Sequence, residues 1–295
     1  VPHTMSRMGD VLAGFHAAWE FESDSVLIRY ERGIRTPKLF QALGERRVPL
    51  EAIEGVTLTP GRRGTVVLRV EPRAGADPLI EAAAGQLKES GDPYRLVLPA
   101  ERETLAEYYA DELRALLTES GKTERYLVAP PEPPLHFKAY DGKASFDGDA
   151  VSFRWSWTGA SSAKWKAGDQ SFPVADLGGV EWRSPEMFEG YLRLLPRDAD
   201  PSAAPAVPQA DQDPAAVVFG LGYGPVHESL PFAAAVLAAV RERGASTPVP
   251  VPVPAPRRDP ADIAERIRHL GELHQQGLVT DEEFSSKKAE LLAEL

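Results

Sequence analysis

The 295-residue sequence predicts a mainly β protein with α: two tandem barrels, each made of strands plus one C-terminal helix, then a two-helix C-terminal hairpin. Three observations predict it. The chain up to about residue 244 is one domain written twice, each copy is a series of short alternating strands before a helix, and the last stretch carries two capped helices.

The duplication is legible without gaps. At an offset of 125, Phe21, Asp24, Val26 and Arg29 match Phe146, Asp149, Val151 and Arg154, and Tyr30 becomes Trp155. At an offset of 124, Gly44, Pro49, Gly55, Val56, Leu68, Arg69, Pro72 and Arg73 match Gly168, Pro173, Gly179, Val180, Leu192, Arg193, Pro196 and Arg197. Eight identities in thirty positions is several times what unrelated sequence of this composition gives.

Each copy then reads in the same order. Phe21 and Phe146 end a first strand, and a Ser/Gly/Asp turn follows. The second strand alternates, with Val26, Ile28 and Tyr30 on one face, or Val151, Phe153, Trp155 and Trp157. A short strand (Arg47–Pro49; Ser171–Pro173) precedes Gly55–Thr59 or Gly179–Arg183, then Thr65–Val70 or Gly190–Leu195. A last strand, Tyr94–Leu98 or Ala216–Gly220, leads into an amphipathic helix. Its apolar positions are Leu105, Tyr108, Tyr109, Leu113, Leu116 and Leu117 in one copy, and Leu230, Val236, Leu237 and Val240 in the other.

Linkers complete the division into a first repeat at 8–128, a second at 135–244, a Pro-rich linker at 245–258 and a helical module at 259–295. Ala129–Pro134 is expected to be a stiff separator of the copies, and Thr247–Pro256 a polyproline-II spacer. Ala199–Pro214 reads as a disordered loop, whereas its counterpart, Pro78–Glu89, reads as helical.

Short strands closed by one C-terminal helix are the plan of a pleckstrin-homology-like (PH-like) barrel. The duplicated Phe21–Val26 and Phe146–Val151 turns, with the Pro-x-x-x-Ile/Leu-x-Gly-Val element at Pro49 and Pro173, resemble the actinobacterial domain-of-unknown-function family 4429. That resemblance covers nearly the whole chain and implies no assigned activity.

In the tail, Asp259-Pro260 starts a helix, and Ile263, Ile267, Leu270 and His274 recur at helical spacing, with Leu273 widening the stripe. Gly277 suits the stop, and Thr280 to Glu283 is a capping box for a second helix bearing Phe284, Leu291, Leu292 and Leu295. Helices this short need a partner surface. Gly277-Leu278-Val279-Thr280-Asp-Glu-Glu283-Phe284, followed by Lys287-Lys288, resembles the SHOCT (short C-terminal) domain of bacterial proteins. The resemblance implies oligomerisation or partner docking through Ile267, Leu270, Leu273, Gly277, Leu278, Thr280, Glu283, Phe284, Lys287, Leu291 and Leu292, and no catalytic residues. The alternative is a hairpin packed on its own protein.

Composition sets the exclusions. A net charge of −11 argues against broad nucleic-acid binding, and the absence of cysteine excludes thiolate chemistry and disulfides. No apolar run approaches a membrane span; Phe232–Val240 comes nearest and is too short. No secretory layout precedes Met5 or Met8, so a cytoplasmic protein is expected, with peripheral attachment at the inner membrane face as the alternative.

Candidate chemistry is sparse. His269 and His274 are five apart, wrong for one helical face of a metal site, and no nucleophile or phosphate-loop motif is present, so no enzyme, metal or cofactor is expected. Phe219–Gly224 is glycine-rich but lacks the Lys-Ser/Thr of a nucleotide loop and reads as a strand-to-helix connection. Arg29, Arg32, Arg35, Lys38, Arg46, Arg47, Arg62 and Arg63 could hold an acidic lipid or phosphate, or form a solvated rim diluted by Glu31, Glu45, Glu51 and Glu54. Trp155, Trp157, Trp165 and Trp182 with Lys164 and Lys166 suit a stacking platform, but Trp155 and Trp157 share a face with Phe153 and read as barrel core, leaving Lys164-Trp165-Lys166 as the exposed part. The leading expectation is a non-catalytic interaction protein whose partner, itself or another protein, docks through 259–295; a phospho-ligand or membrane sensor is the alternative.

Overall fold

The computed structural model describes residues 10–187, 189–197 and 209–246, which belong to one compact unit ending at Ser246. In the first copy, β1 (Asp10–Ala13), β2 (Ala17–Phe21) and β3 (Ser25–Tyr30) pair in order; α1 (Lys38–Leu43) follows, and β4 (Glu45–Pro49) returns to β3. A second antiparallel sheet holds β5 (Ile53–Pro60), β6 (Thr65–Pro72) and β7 (Arg95–Pro99), with α2 (Pro78–Ala83) between the last two and α3 (Glu103–Leu116) after them. The second copy repeats the scheme. β8 (Leu135–Lys138), β9 (Gly142–Phe146), β10 (Ala150–Trp155) and β11 (Gln170–Pro173) form its four-stranded sheet, with α4 (Ser162–Ala167) inserted. β12 (Leu177–Arg183), β13 (Tyr191–Pro196) and β14 (Ala216–Val218) form the three-stranded one, and α5 (Val226–Ser246) closes the copy.

The duplicated residues are the ones this geometry demands. Gly44 and Gly168 end α1 and α4 at φ of 66° and 72°, a left-handed setting that a side chain would resist. Pro49 and Pro173 end their strands and open a single 3-10 turn. Immediately afterwards the register slips, between Ile53 and Gly55 in one copy and between Leu177 and Gly179 in the other. The shared Pro-to-Gly-Val element is therefore a turn plus a β-bulge, which bends the strand where the sheets part. β1 and β8 are additions to the sequence reading; each buries one strand residue, Leu12 or Phe137, so neither shows a readable alternation.

The first helix differs from its predicted stripe. α3 buries Ala106, Ala110 and Leu113, an i, i+4, i+7 line, while Leu105, Tyr108 and Leu116 are exposed. The small residues bring the helix close to β5, and Tyr109 stacks on Phe21 at 4.3 Å.

The larger correction concerns the two copies together. Ala129–Pro134 does not separate independent bodies: α5 packs on β8 and β12 of its own copy and on α1 and α2 of the other. Leu39, Leu79, Ala82 and Ala83 of the first copy share one core with Phe137, Phe153, Phe232 and Val236 of the second. Alanines at 82, 83 and 233–235 let the helix axes approach. Polar contacts fix the junction. Arg241 reaches the Gly75 carbonyl, holds both oxygens of Glu81 at 2.6 and 2.9 Å, and lies 3.8 Å over the Tyr126 ring. The Gln86 amide donates to the Trp182 carbonyl and accepts from the Ser184 N–H, both at 2.9 Å.

Pro78–Glu89 does begin as a helix, capped by Asp77. Most of Ala199–Pro214, the spacer beyond Ser246 and the hairpin at 259–295 lie outside the described residues. Among the described residues no helix is long and apolar enough to cross a membrane.

Candidate functional site

A cleft of about 620 Å³ opens where the copies meet. Lys38, Leu39 and Lys88 form one wall; Met187, Gly220 to Tyr223 and His227 form the other. The glycine-rich stretch Phe219–Gly224 is a turn feeding α5, as its sequence suggests. Gly220 and Tyr223 exchange backbone hydrogen bonds, and the Gly224 N–H donates to the Lys138 carbonyl at 2.7 Å. Those amides are engaged by backbone carbonyls of the turn and of β8, so they form no cradle for a phosphate. Leu221 at its tip is fully exposed.

The eight basic residues of the first copy are not one cluster. Arg46 is only 6% exposed and donates to the Asp77 carboxylate at 2.7 Å, so it is withdrawn as an anion-binding residue. Asp77 also accepts from the Tyr94 hydroxyl at 2.6 Å and from the Leu79 N–H, capping α2. Burial opposes the Arg46 charge, but Asp77, Tyr94 and Tyr30 together outweigh it and hold the guanidinium charged; burial and Asp77 together push the Tyr94 hydroxyl up. Arg29 pairs with Glu20 and Glu45, and Arg47 with Glu22. Arg62 and Arg63 occupy the β5–β6 turn, while exposed Arg32 and Arg35 lie in the loop before α1 and exposed Lys38 is its first residue.

The aromatic expectations for the second copy need two corrections. Trp182 is core, its indole N–H donating to Ser229, but Trp157 lies beyond the end of β10 and is 82% exposed. It meets Trp165 edge-on at 5.2 Å, and Trp165 is half exposed. Lys164, expected at the surface, is 0% exposed. Its ammonium donates to Asp141 at 2.5 Å and to the Ala216 carbonyl at 2.8 Å, 5.0 Å over the Trp155 ring. The repeat explains the exchange. Position 40 of the first copy, 124 residues earlier, is Phe40 stacked on Tyr30; in the second copy Lys164 and Trp155 replace both. Burial lowers the Lys164 ammonium and raises the Asp141 carboxyl, each only partly offset by the other's charge. Aligning α1 with α4 through Gly44 and Gly168 is the sequence signal that reveals this pair.

His227, at the cleft, titrates low: burial disfavours its charge and Lys38 adds to that, while Glu228 opposes both. A base whose folded pKa lies below 6.5 binds fewer protons folded than unfolded, so stability falls as pH drops through 6.5 towards the folded value. Urea midpoints across that window should decline, and the decline should flatten in His227→Gln. Among the described residues no three His, Asp or Glu side chains gather as metal ligands.

Comparison with protein families settles the relationship. The family described as a domain of unknown function (DUF4429) matches twice, at residues 19–114 and 144–237, more than half the chain. The chain belongs to the DUF4429 family. Both matches span the strand-and-helix plan that the two copies share, so in this DUF4429 protein the unit of the family is one copy, present in tandem. A short C-terminal domain (SHOCT) matches residues 265–292, where the two capped helices are read from sequence. The comparison with curated proteins gave no match.

Proposed function

We propose that this DUF4429 protein is a non-catalytic adaptor, in which the fused tandem body presents a binding surface and the SHOCT tail brings the body to itself or to another protein. The tail match at 265–292, beyond a Pro-rich stretch, is the observation that carries the reading. The body supports it. Its most buried ionic groups, Arg46 with Asp77 and Lys164 with Asp141, are engaged in holding elements together and do not face the cleft as an acid–base pair. Four plus three strands closed by a helix in each half support a PH-like reading, a plan suited to presenting loops. A cytoplasmic setting, with a protein partner at 259–295, fits these features.

Light scattering of the full chain beside Phe284→Ala with Leu291→Ala tests the tail. The double variant should have a lower association state and an unaltered far-UV spectrum. Unchanged mass would remove self-association, and a pull-down with the variant as control would then decide whether another protein is the partner.

A further inference from the structure

The candidate anion-binding residues singled out in sequence lie in the first copy, but the geometry places a more coherent cationic face on the second. In the β8–β9–β10 sheet, Lys138 is registered opposite Lys143, and Lys143 opposite Arg154. All three side chains are exposed, so three cations stand in a row across neighbouring strands. Like charges directly opposite one another cost stability. The first copy avoids this: its equivalent positions are Ala13, Ala18 and Arg29, the last paired with Glu20.

Aromatic residues border the row at the same end of the sheet. Trp157 and Trp165 project from the β10–α4 segment beside exposed Lys166. Tyr140, more than half exposed, sits in the β8–β9 turn. Gly159 closes on it so tightly that a Cβ there would lie 2.2 Å from the Tyr140 carbonyl oxygen, which joins the turn to the tryptophan loop. In a chain of net charge −11, residues 150–168 contain no Asp or Glu. Asp141 holds Lys164, and Asp169 takes the Trp155 N–H and pairs with Arg154 at 3.5 Å, while Lys138 and Lys143 have no ion-pair partner among the described residues. Asp147 and Asp149 stand at the opposite end of the β9–β10 hairpin.

We propose that this face binds an anionic lipid bilayer, with Lys138, Lys143, Arg154 and Lys166 against the headgroup phosphates and Trp157 and Trp165 at the interface. Anionic lipid supplies the charge that relieves the row, and the headgroup layer is where exposed indoles partition. A soluble phosphate would meet the cations but leave two exposed tryptophans without a role. The assignment goes beyond the adaptor reading and survives its failure, because it does not depend on Phe284 or Leu291.

Flotation of the full chain with vesicles tests it. Phosphatidylcholine containing phosphatidylglycerol should be bound, phosphatidylcholine alone should not, and added salt should weaken binding. Lys138→Ala with Lys143→Ala should lower partitioning by roughly 25-fold, about fivefold per cation removed. Trp157→Ser with Trp165→Ser should lower it at unchanged charge. Arg62→Ala with Arg63→Ala, on the first copy, should leave it intact. In lipid-free buffer Lys143→Ala should melt higher than the parent chain, because its neighbours no longer face a like charge. Failure to bind anionic vesicles, an equal loss in the Arg62/Arg63 control, or displacement by inorganic phosphate at matched phosphate and ionic strength would overturn the proposal. Capture of a protein through this face without vesicle affinity would overturn it as well.

Discussion

Expressed without the first copy, residues 135–246 should fail to form a stable monomer. The reason is α5. Own-copy strands cover one side of it, while α1 and α2 of the first copy cover another, and Leu230, Phe232, Ala233, Ala234 and Val236 are all fully buried in the intact body. Removing residues 10–128 uncovers that side and deletes Leu39, Leu79, Ala82 and Ala83 from the shared core. Burying a leucine such as Leu39 or Leu79 is worth about 1.5–3 kcal/mol, and losing both, while one side of α5 is uncovered, takes a large share of the 5–15 kcal/mol by which a whole domain is stable. The fragment should aggregate or lose near-UV dichroism, and co-expression with residues 10–134 should restore a soluble complex. In the intact chain, Leu79→Ala should cost about 2–5 kcal/mol and lower one common transition, reported equally by tryptophans of either copy. A soluble fragment with a cooperative melt would show instead that the copies are merely adjacent.

Asp141→Asn should destabilise the chain by about 3–5 kcal/mol, as expected when one partner of a buried ion pair is removed. The substitution keeps an oxygen to accept the Val218 N–H, which donates to Asp141 at 2.9 Å, so the loss reports on charge and not on that hydrogen bond. Lys164 would then lose the main group that supports its ammonium against burial, keeping the Ala216 carbonyl and the Trp155 face beside it. Adding Lys164→Met should return stability to the parent value or exceed it by about 1–4 kcal/mol, since a buried pair costs desolvation on both sides. Chemical denaturation of the two singles and the double closes the cycle. Additive losses would mean that the pair is not coupled.

These two results bear on how much of the molecule a sequence can show. The order of most strands, the closing helices and the recurrence of Gly44, Pro49 and Gly55 were legible because each imposes a local pattern and the pattern occurs twice. The fusion of the copies was not. α1 has six residues, too few to display a helical period, and although Pro78–Glu89 reads as helical, the six residues of α2 carry no sign of which surface their apolar face meets. α5 carries the opposite signal: Phe232–Val240 is apolar on all sides and must be enclosed, whereas its spacing reads as an amphipathic helix with a single stripe. At the surface, the cationic row was hidden because Lys138 lies on β8, a strand with no readable alternation, and its members meet only through strand register. Lys164 was misplaced because charge alone puts lysine outside, whereas Trp155 and Asp141 hold it in.

The shared helix also sets a timetable for synthesis. α1 and α2 leave the ribosome early, but the helix that covers them is the last element of the body to be made. At roughly 5–20 residues per second, the stretch from Ala83 to Val226 takes roughly 7–30 s to translate. Throughout that interval the first copy carries a greasy flank with nothing to close it. A nascent chain should therefore recruit a holdase while α5 is awaited, and release it only when the last helix arrives.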